Sequence, residues 1–209
     1  MSEATASATP STPLDVDASL LPSYAFSHRS LMWWGTLGLI AIEGTAFGLA
    51  IVAYFYVWTL SSAWPPDLAP PELRWGTLNL AIMLASLVPN EYTKRAAERH
   101  DLPGVRIGLL ACLVFALAFL GVRVLEYGAL NCHWDTNAYA SAVWVLLSLH
   151  TLHLVTDTYD SGVLAVLMFS GPIEGRRFVD VSENAVYWYF VVASWVAIYA
   201  VLYLFPRLA

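Results

Sequence analysis

The sequence has few charged residues and only two cysteines, and neither scarcity fits a water-soluble protein held together by disulfides. Charged residues make up 12% of the 209 residues, whereas soluble domains carry about a quarter. Cys112 and Cys132 lie about 30 Å apart if the segment between them is helical, which argues against a mutual disulfide. No basic stretch is interleaved with aromatic residues, and the net charge is -6. The composition therefore gives no indication of a nucleic-acid-binding protein.

What the sequence has in quantity is apolar residues gathered in long runs. Hydrophobic residues make up 58% of the chain, and a helix needs about 20 of them in succession to cross a bilayer. The runs predict an all-α, polytopic membrane bundle of five transmembrane helices. The expected helix bounds are about 31–60, 75–93, 104–127, 138–169 and 185–205. A proline-rich segment predicts a loop between the first two helices.

The basic residues are distributed unevenly over the predicted connections. One side of the membrane would hold Arg29, Lys94, Arg95, Arg99, Arg106, Arg176 and Arg177, and the other Arg74, Arg123 and Arg207. The positive-inside rule therefore predicts a cytoplasmic N-terminus and an outside C-terminus. The first residues are rich in Ser, Thr, Ala and Pro and lack the pattern of a signal peptide. We expect a disordered cytoplasmic tail over residues 1–27 and a transmembrane domain over residues 28–209.

An acidic residue, Glu43, falls in the middle of the first predicted span, about 18 Å from its start. An unpaired carboxylate at that depth is costly, so Glu43 is expected to be protonated or paired. Two interpretations remain open. Glu43 handles protons or binds a lipid headgroup, or it is a protonated carboxyl hydrogen-bonded to a neighbouring helix.

The fourth predicted span carries His150, His153 and Asp157, whose spacing of three and four residues places them on one helical face. Imidazole is a common metal ligand, so one interpretation is a metal or heme site. The other is a polar seam between helices. In the third span, Arg123 and Glu126 are expected to form an interfacial ion pair.

The fifth and fourth spans contain short motifs that resemble one known family. The fifth reads ENAVYWYFVVASW and is similar to the signature Tyr-Trp-His-Phe-Val-Asp with a Trp three residues on. The fourth is similar to a Tyr-Gly-Ser run that ends in His-Gly-Leu-His. The matching residues are Glu183, Tyr187, Trp188, Phe190, Val191 and Trp195 in the fifth span, and Tyr139, Ser141, His150, Leu152 and His153 in the fourth. This is the pattern of subunit III of the heme-copper respiratory oxidases.

The other three spans agree with this resemblance in the same order. The second contains Leu-Asn at Asn79, the third ends in RVLEY with Glu126, and Glu43 occupies the place of an intramembrane Glu of the family. Five helices fit the shorter bacterial forms, which lack the first two of seven helices. Three positions depart from the family pattern, because Arg123 replaces a Gln, Tyr189 a His and Val192 an Asp.

The resemblance implies a multi-pass subunit of the bacterial inner membrane that is not catalytic by itself. It would belong to a proton-translocating terminal oxidase of aerobic respiration, fed by cytochrome c or quinol. Its partners would be oxidase subunits I and II and membrane lipids. It would bind no metal or heme itself, retain structural phospholipids and leave heme and copper to the partner subunits.

The expected site residues fall into two groups. Lipid-cleft or proton-related roles are expected for Glu43, His150, His153 and Asp157, and signature packing roles for Asn79, Glu126, Glu183, Tyr187, Trp188 and Trp195. Two alternatives stay open. The chain is an accessory subunit of a nitric oxide reductase, or a free-standing membrane protein that binds metal or heme through His150 and His153.

Overall fold

The computed structural model describes residues 22, 24–66 and 68–208, and these residues form five long helices with no strand among them. The helices are α1 (Leu31–Thr59), α2 (Leu73–Glu98), α3 (Leu102–Gly128), α4 (Ala138–Ser170) and α5 (Gly175–Tyr199). α5 continues directly into a π turn over Ala200–Leu204 and a 3-10 turn over Phe205–Arg207. A short 3-10 turn, Ser27–Arg29, precedes α1. Residues 1–21 and 23, most of the expected disordered tail, lie outside the described residues.

Three helices begin at a side chain that accepts a hydrogen bond from the first turn. Ser30 caps α1, Asp101 caps α3 and Asn137 caps α4, each accepting from a backbone N–H two or three residues on. Such caps satisfy N–H groups that have no partner within the helix. The local sequence therefore sets these three starts without help from tertiary contacts.

Four helices form a closed bundle and the fifth lies against its outside. α2, α3, α4 and α5 pack in that order, and α5 packs back on α2. α1 packs mainly on α4 and α5, and Phe47 and Tyr54 are its only buried residues. Because α1 touches the bundle along few side chains, it leaves a groove beside α4 and α5.

Apolar side chains cover the outside of the bundle, while polar and small ones line parts of its inside. Val88 is 75% exposed and Ile42 72% exposed. The buried face of α2 recurs every three or four residues through Gly76, Asn79, Met83, Ser86, Asn90, Thr93 and Ala97. Small and polar residues at such spacing allow close helix approach and hydrogen bonds between helices in a membrane.

Four of the five described helices are long and apolar enough to cross a membrane, and α2 is the exception. α2 nevertheless has 26 residues, within the range of 25 to 33 residues of the other helices. Its start lies near the C-terminus, where Arg207 Nη2 donates to Pro71 O at 2.5 Å. Just beyond its other end, the His100 ring contacts the rings of Phe26, before α1, and Phe178, at the start of α5.

Two helices are longer than the hydropathy pattern predicts. α5 begins at Gly175 and not near residue 185, because its first turns are amphipathic, with Phe178 and Val181 buried among charged neighbours. α2 passes Pro89 and continues to Glu98, where its last turns carry the ion pairs Lys94–Glu98 and Arg95–Glu91. A hydropathy run detects neither segment, because both are rich in charged residues.

Candidate functional site

A groove of about 450 Å³ lies between α1, α4 and α5. One part of its wall is apolar, with Met32, Leu39, Val163 and Leu164. The other part carries four carboxyl side chains, which are Glu43, Asp160, Asp180 and Glu183. The groove thus combines apolar surface with acidic groups, and one of them, Glu43, lies in a helix apolar enough to cross a membrane, where ionisable residues are rare.

Glu43, the acidic residue in the middle of α1, has two partners across the groove. Its Oε2 accepts a hydrogen bond of 2.6 Å from the hydroxyl of Tyr187 on α5. Its Oε1 lies 3.6 Å from Nε2 of His153 on α4. The structure therefore gives Glu43 a partner on each of two other helices, Tyr187 on α5 and His153 on α4.

The tautomer of His153 follows from its second contact. Nδ1 of His153 lies 2.7 Å from the carbonyl oxygen of Leu149, which can only accept, so Nδ1 carries a proton. Nε2 then has a free lone pair in the neutral ring and faces Glu43 Oε1. The separation of 3.6 Å is longer than a hydrogen bond, so Nε2 of His153 and Oε1 of Glu43 are close neighbours without a direct hydrogen bond.

Phe47 separates His150 from this pair. The Phe47 ring lies one turn beyond Glu43, with its centroid 4.7 Å from that of His153 and 6.2 Å from that of His150. His150 is fully buried. The structure therefore places His153 beside Glu43, which lines the groove, while His150 belongs to the bundle interior.

His150 is part of a second network, built around a buried ion pair. Its Nε2 donates to the carbonyl of Val191 at 3.0 Å, so its Nδ1 accepts from Nη2 of Arg123 at 3.2 Å. Arg123 Nη1 donates to Glu126 Oε2 at 2.7 Å. Arg123 is 1% exposed and Glu126 2% exposed, so the ion pair expected at the interface forms inside the bundle.

Further donors surround the carboxylate of Glu126. Asn79 Nδ2 donates to Oε2 at 3.1 Å, and the Tyr203 hydroxyl donates to Oε1. The Arg123 guanidinium also stacks 3.8 Å above the ring of Trp195. A buried ion pair is tolerated when additional hydrogen bonds satisfy its remaining atoms, and these contacts supply them.

Two further residues of the family pattern, Trp188 and Glu183, lie outside these two networks. Trp188 donates to Ser86 Oγ at 2.9 Å and stacks on Phe119 with a centroid distance of 5.3 Å. Glu183 is buried and lines the groove, and its Oε2 has no hydrogen-bond partner among the described residues. Trp188 thus ties α5 to α2 and α3.

Two of the three departures from the resemblance pattern have local partners of their own. Arg123, in place of a Gln, binds Glu126 and His150. Tyr189, in place of a His, donates to Glu91 on α2, and Glu91 also accepts from Arg95. Val192, in place of an Asp, is buried in the apolar core.

The two histidines of α4 do not converge on one point. Both ring nitrogens of His150 are engaged in hydrogen bonds, and no group of three His, Cys, Asp or Glu that could hold a metal ion occurs in the described part of the chain. Asp157, the third residue of the predicted face, is buried beside a separate internal cavity and does not line the groove.

Sequence reasoning did not single out Tyr203 or Phe47. Tyr203 meets Glu126 across 77 residues of sequence, and Phe47, from within an apolar run, contacts the rings of both His150 and His153. Neither residue carries a local signal, because tyrosine and phenylalanine near the ends and middle of apolar helices are ordinary. Only the packing of α1 and of the C-terminal turns reveals their contacts.

The chain is similar to named proteins over most of its length. It is 26% identical over 190 residues to a cytochrome c oxidase subunit 3 of Thermostichus vulcanus, covering 88% of this chain and 92% of that protein. It is 25% identical over 197 residues to a cytochrome c oxidase subunit 3 of Synechocystis, covering 91% and 84%. A heme-copper oxidase subunit I+III of Aeropyrum pernix is 27% identical over 186 residues, covering 84% of this chain and 22% of that protein.

A family model agrees with these relatives. The model for cytochrome c oxidase subunit III matches residues 23–207, which include all five helices. The match spans nearly the whole sequence and includes the motifs around His150, Glu126 and Trp188. The chain therefore belongs to the cytochrome c oxidase subunit III family, whose members are membrane subunits of heme-copper oxidases.

Proposed function

We propose that this chain is the non-catalytic subunit III of a bacterial heme-copper terminal oxidase. It packs on subunit I in the inner membrane, holds structural lipid in the groove beside α1, and supports proton uptake and the stability of the complex. The observation that carries the proposal is the contact of Glu43 with Tyr187 and His153 at this groove. Family membership supplies the setting in which that contact is interpreted.

The partnership with subunit I is supported by a relative and by the surface of the chain. The Aeropyrum protein carries subunits I and III in one polypeptide, so two such domains can act side by side. Large apolar side chains are exposed on the outside of all five helices. An apolar surface at membrane depth fits lipid and an equally apolar partner helix.

Five membrane-crossing helices with a cytoplasmic N-terminus are the proposed topology. Four helices have the required length and hydropathy, and α2 runs between the same two ends of the bundle as they do. α2 is less hydrophobic because polar residues lie on its buried face, where neighbouring helices can satisfy them, and because its last turns carry two ion pairs. Basic residues gather at one end, which the positive-inside rule assigns to the cytoplasm.

The groove supports the proposed lipid site. Its apolar wall matches acyl chains, and α1 touches the bundle through few side chains. Glu43 lines the groove, and Nε2 of His153 lies 3.6 Å from its carboxyl. A residue pair that can take up or give up a proton there fits a role near proton uptake.

The first test is purification of the tagged chain in mild detergent. We expect a heme-bearing subunit I to copurify and the complex to reduce oxygen. Reduction of nitric oxide instead would favour the nitric oxide reductase alternative. A chain that purifies alone with its own heme absorption band would contradict the proposal and favour the free-standing heme protein.

The second test addresses the groove with the substitution Glu43→Gln. Glutamine has nearly the shape of glutamate and can still accept from Tyr187, so assembly should be intact while lipid retention or sustained turnover falls. Glu72→Gln is the matched control, because Glu72 is exposed in the connection before α2. Unchanged lipid content and unchanged turnover in Glu43→Gln would remove the groove from the proposed function.

A further inference from the structure

A small polar cavity lies inside the four-helix bundle. It is enclosed by α2, α3, α4 and α5 and has a volume of about 20 Å³. A bound water needs about 10–15 Å³ on this measure, so there is room for one. Its polar wall is formed by Ser86, Asn90, Thr93, Cys112, Asp157, Ser161 and Asn184.

Asp157 is the only acidic residue on this wall, and it has no partner in the described protein. It is 3% exposed, and its Oδ1 is fully buried without a hydrogen bond. No ion pair of the described residues includes it, and the other titratable group in the cavity is Cys112, from α3. Asp160, one turn further along α4, is a second carboxyl nearby and supplies no positive charge. An ionised Asp157 would therefore be a buried charge without compensation, which is strongly unfavourable.

The polar neighbours of Asp157 are mostly committed elsewhere. Ser86 donates to Met83 O, and Thr93 donates to Pro89 O. Ser161, one turn beyond Asp157 on the same face, accepts from Asn184 at 2.9 Å and keeps its own hydroxyl proton available. A water molecule in the cavity can bond to Asp157 and Ser161 together, because buried waters make about three hydrogen bonds to groups that lack partners.

We propose that Asp157 is an internal proton-binding site, with a protonated carboxyl hydrogen-bonded to one water molecule held in the cavity. The protonated carboxyl can donate through its O–H and accept through its C=O. The water therefore satisfies the Asp157 carboxyl, to which no side chain bonds. This site is distinct from the Glu43–His153 pair, because it lies inside the α2–α5 bundle and α1 takes no part in it. The inference does not depend on the proposed function.

Asn184 gives the site a route for proton exchange. It lines both the internal cavity and the groove, and it is only partly buried, whereas most other cavity residues are buried. The Asn184–Ser161 hydrogen bond therefore lies between Asp157 and the acidic wall of the groove. Protons reach Asp157 from the groove past this side chain.

The test is infrared spectroscopy of the purified complex at neutral pH. A protonated carboxyl gives a C=O band above the amide bands, which shifts in D₂O. We expect such a band to be lost in Asp157→Asn and kept in Asp160→Asn, the same change one turn away in the groove. Asn184→Leu should keep the band and slow its shift after transfer to D₂O.

A second measurement covers the case in which Asp157→Asn does not fold. Asp157 is the only buried aspartate among the described residues, so ¹³C-labelling of aspartate carboxyls in the wild-type chain should move the band. The bound water should add an O–H band that shifts in H₂¹⁸O. A carboxyl band that does not move when the aspartates are ¹³C-labelled would overturn the proposal, and so would the absence of any carboxyl band at neutral pH. A site occupied by Na⁺, shown by sodium-dependent thermal stability that Asp157→Asn abolishes, would overturn it as well.

Discussion

The carboxyl of Glu43 on α1 accepts a hydrogen bond of 2.6 Å from the hydroxyl of Tyr187 on α5, 144 positions further along the chain. α1 has only two buried residues, so each specific contact contributes a large share of its attachment. The same carboxyl faces His153 on α4. Glu43 thus links the outer helix to both helices against which it packs.

Removing the Tyr187 hydroxyl should weaken this link. We expect Tyr187→Phe to lower the apparent free energy of unfolding by about 0.5–1.5 kcal/mol, the usual net value of one hydrogen bond. Thermal unfolding in detergent measures the change. Tyr56→Phe is the control, because Tyr56 is 64% exposed on α1 and its hydroxyl has no partner among the described residues. Equal effects of the two substitutions would show that the Glu43 contact does not stabilise the fold.

Breaking the buried ion pair should be far more costly. We expect Arg123→Leu to destabilise the chain by about 3–5 kcal/mol, because it leaves the Glu126 carboxylate buried without its cation. Arg123→Gln should cost less, since the amide can still donate to Glu126. Both changes are measured by denaturation of the purified chain or complex.

An exposed ion pair supplies the control for this prediction. Arg95, which pairs with Glu91, has a side chain that is 65% exposed, and such pairs contribute about 0–1 kcal/mol. Arg95→Leu should therefore change stability little. A loss as small in Arg123→Leu as in Arg95→Leu would contradict the buried network around Glu126.

Gly76 should not tolerate a larger residue. A Cβ at this position would lie 2.5 Å from Cζ of Tyr203, the tyrosine that donates to Glu126. We expect Gly76→Ala to cost about 1–3 kcal/mol through overpacking, measured by thermal unfolding. Gly35→Ala is the matched control, because no atom outside the local helix backbone and the two neighbouring residues lies within 4 Å of its Cβ position. Tyr203→Leu should relieve the clash, so the double variant should lose less than the sum of the two single changes.

The Cys132 thiol should react slowly and with a strong pH dependence. Cys132 is buried in the connection before α4, and burial raises the pKa of its thiol above the usual value. The thiolate is the reactive form, so a raised pKa means less thiolate at neutral pH and a labelling rate that rises into the alkaline range. Maleimide labelling of a Cys112→Ala chain measures this, with the detergent-unfolded chain as the control. Equal rates in the folded and unfolded chains at neutral pH would refute the prediction.

The helix starts show which features of the fold are contained in the local sequence. Ser30, Asp101 and Asn137 act through hydrogen bonds to residues two or three positions away, so a local pattern contains the whole interaction. The charged start of α5 was not predicted, because its burial depends on Phe178 and Val181 meeting other helices. Hydropathy measures composition and does not detect such amphipathic ends.

In the candidate site, too, the sequence predicts the local arrangement of residues and the tertiary structure decides their contacts. The spacing of His150, His153 and Asp157 on one face of α4 follows from helical periodicity. Their separation into three environments does not: His153 meets Glu43, His150 meets Arg123, and Asp157 faces the internal cavity. A helical face is about 100° wide or more, so residues on it can contact different neighbouring helices.

The amino-acid sequence alone determined that the chain is a helical membrane protein, where most of its helices lie and to which family its motifs point. Those properties depend on apolar run length and on residues close together along the chain. Only the tertiary structure decided that Arg123 and Glu126 are buried, that Phe47 separates His150 from Glu43, and that Asp157 has no partner. These outcomes depend on contacts between residues far apart in sequence, which arise when the helices pack and are not encoded in any one segment.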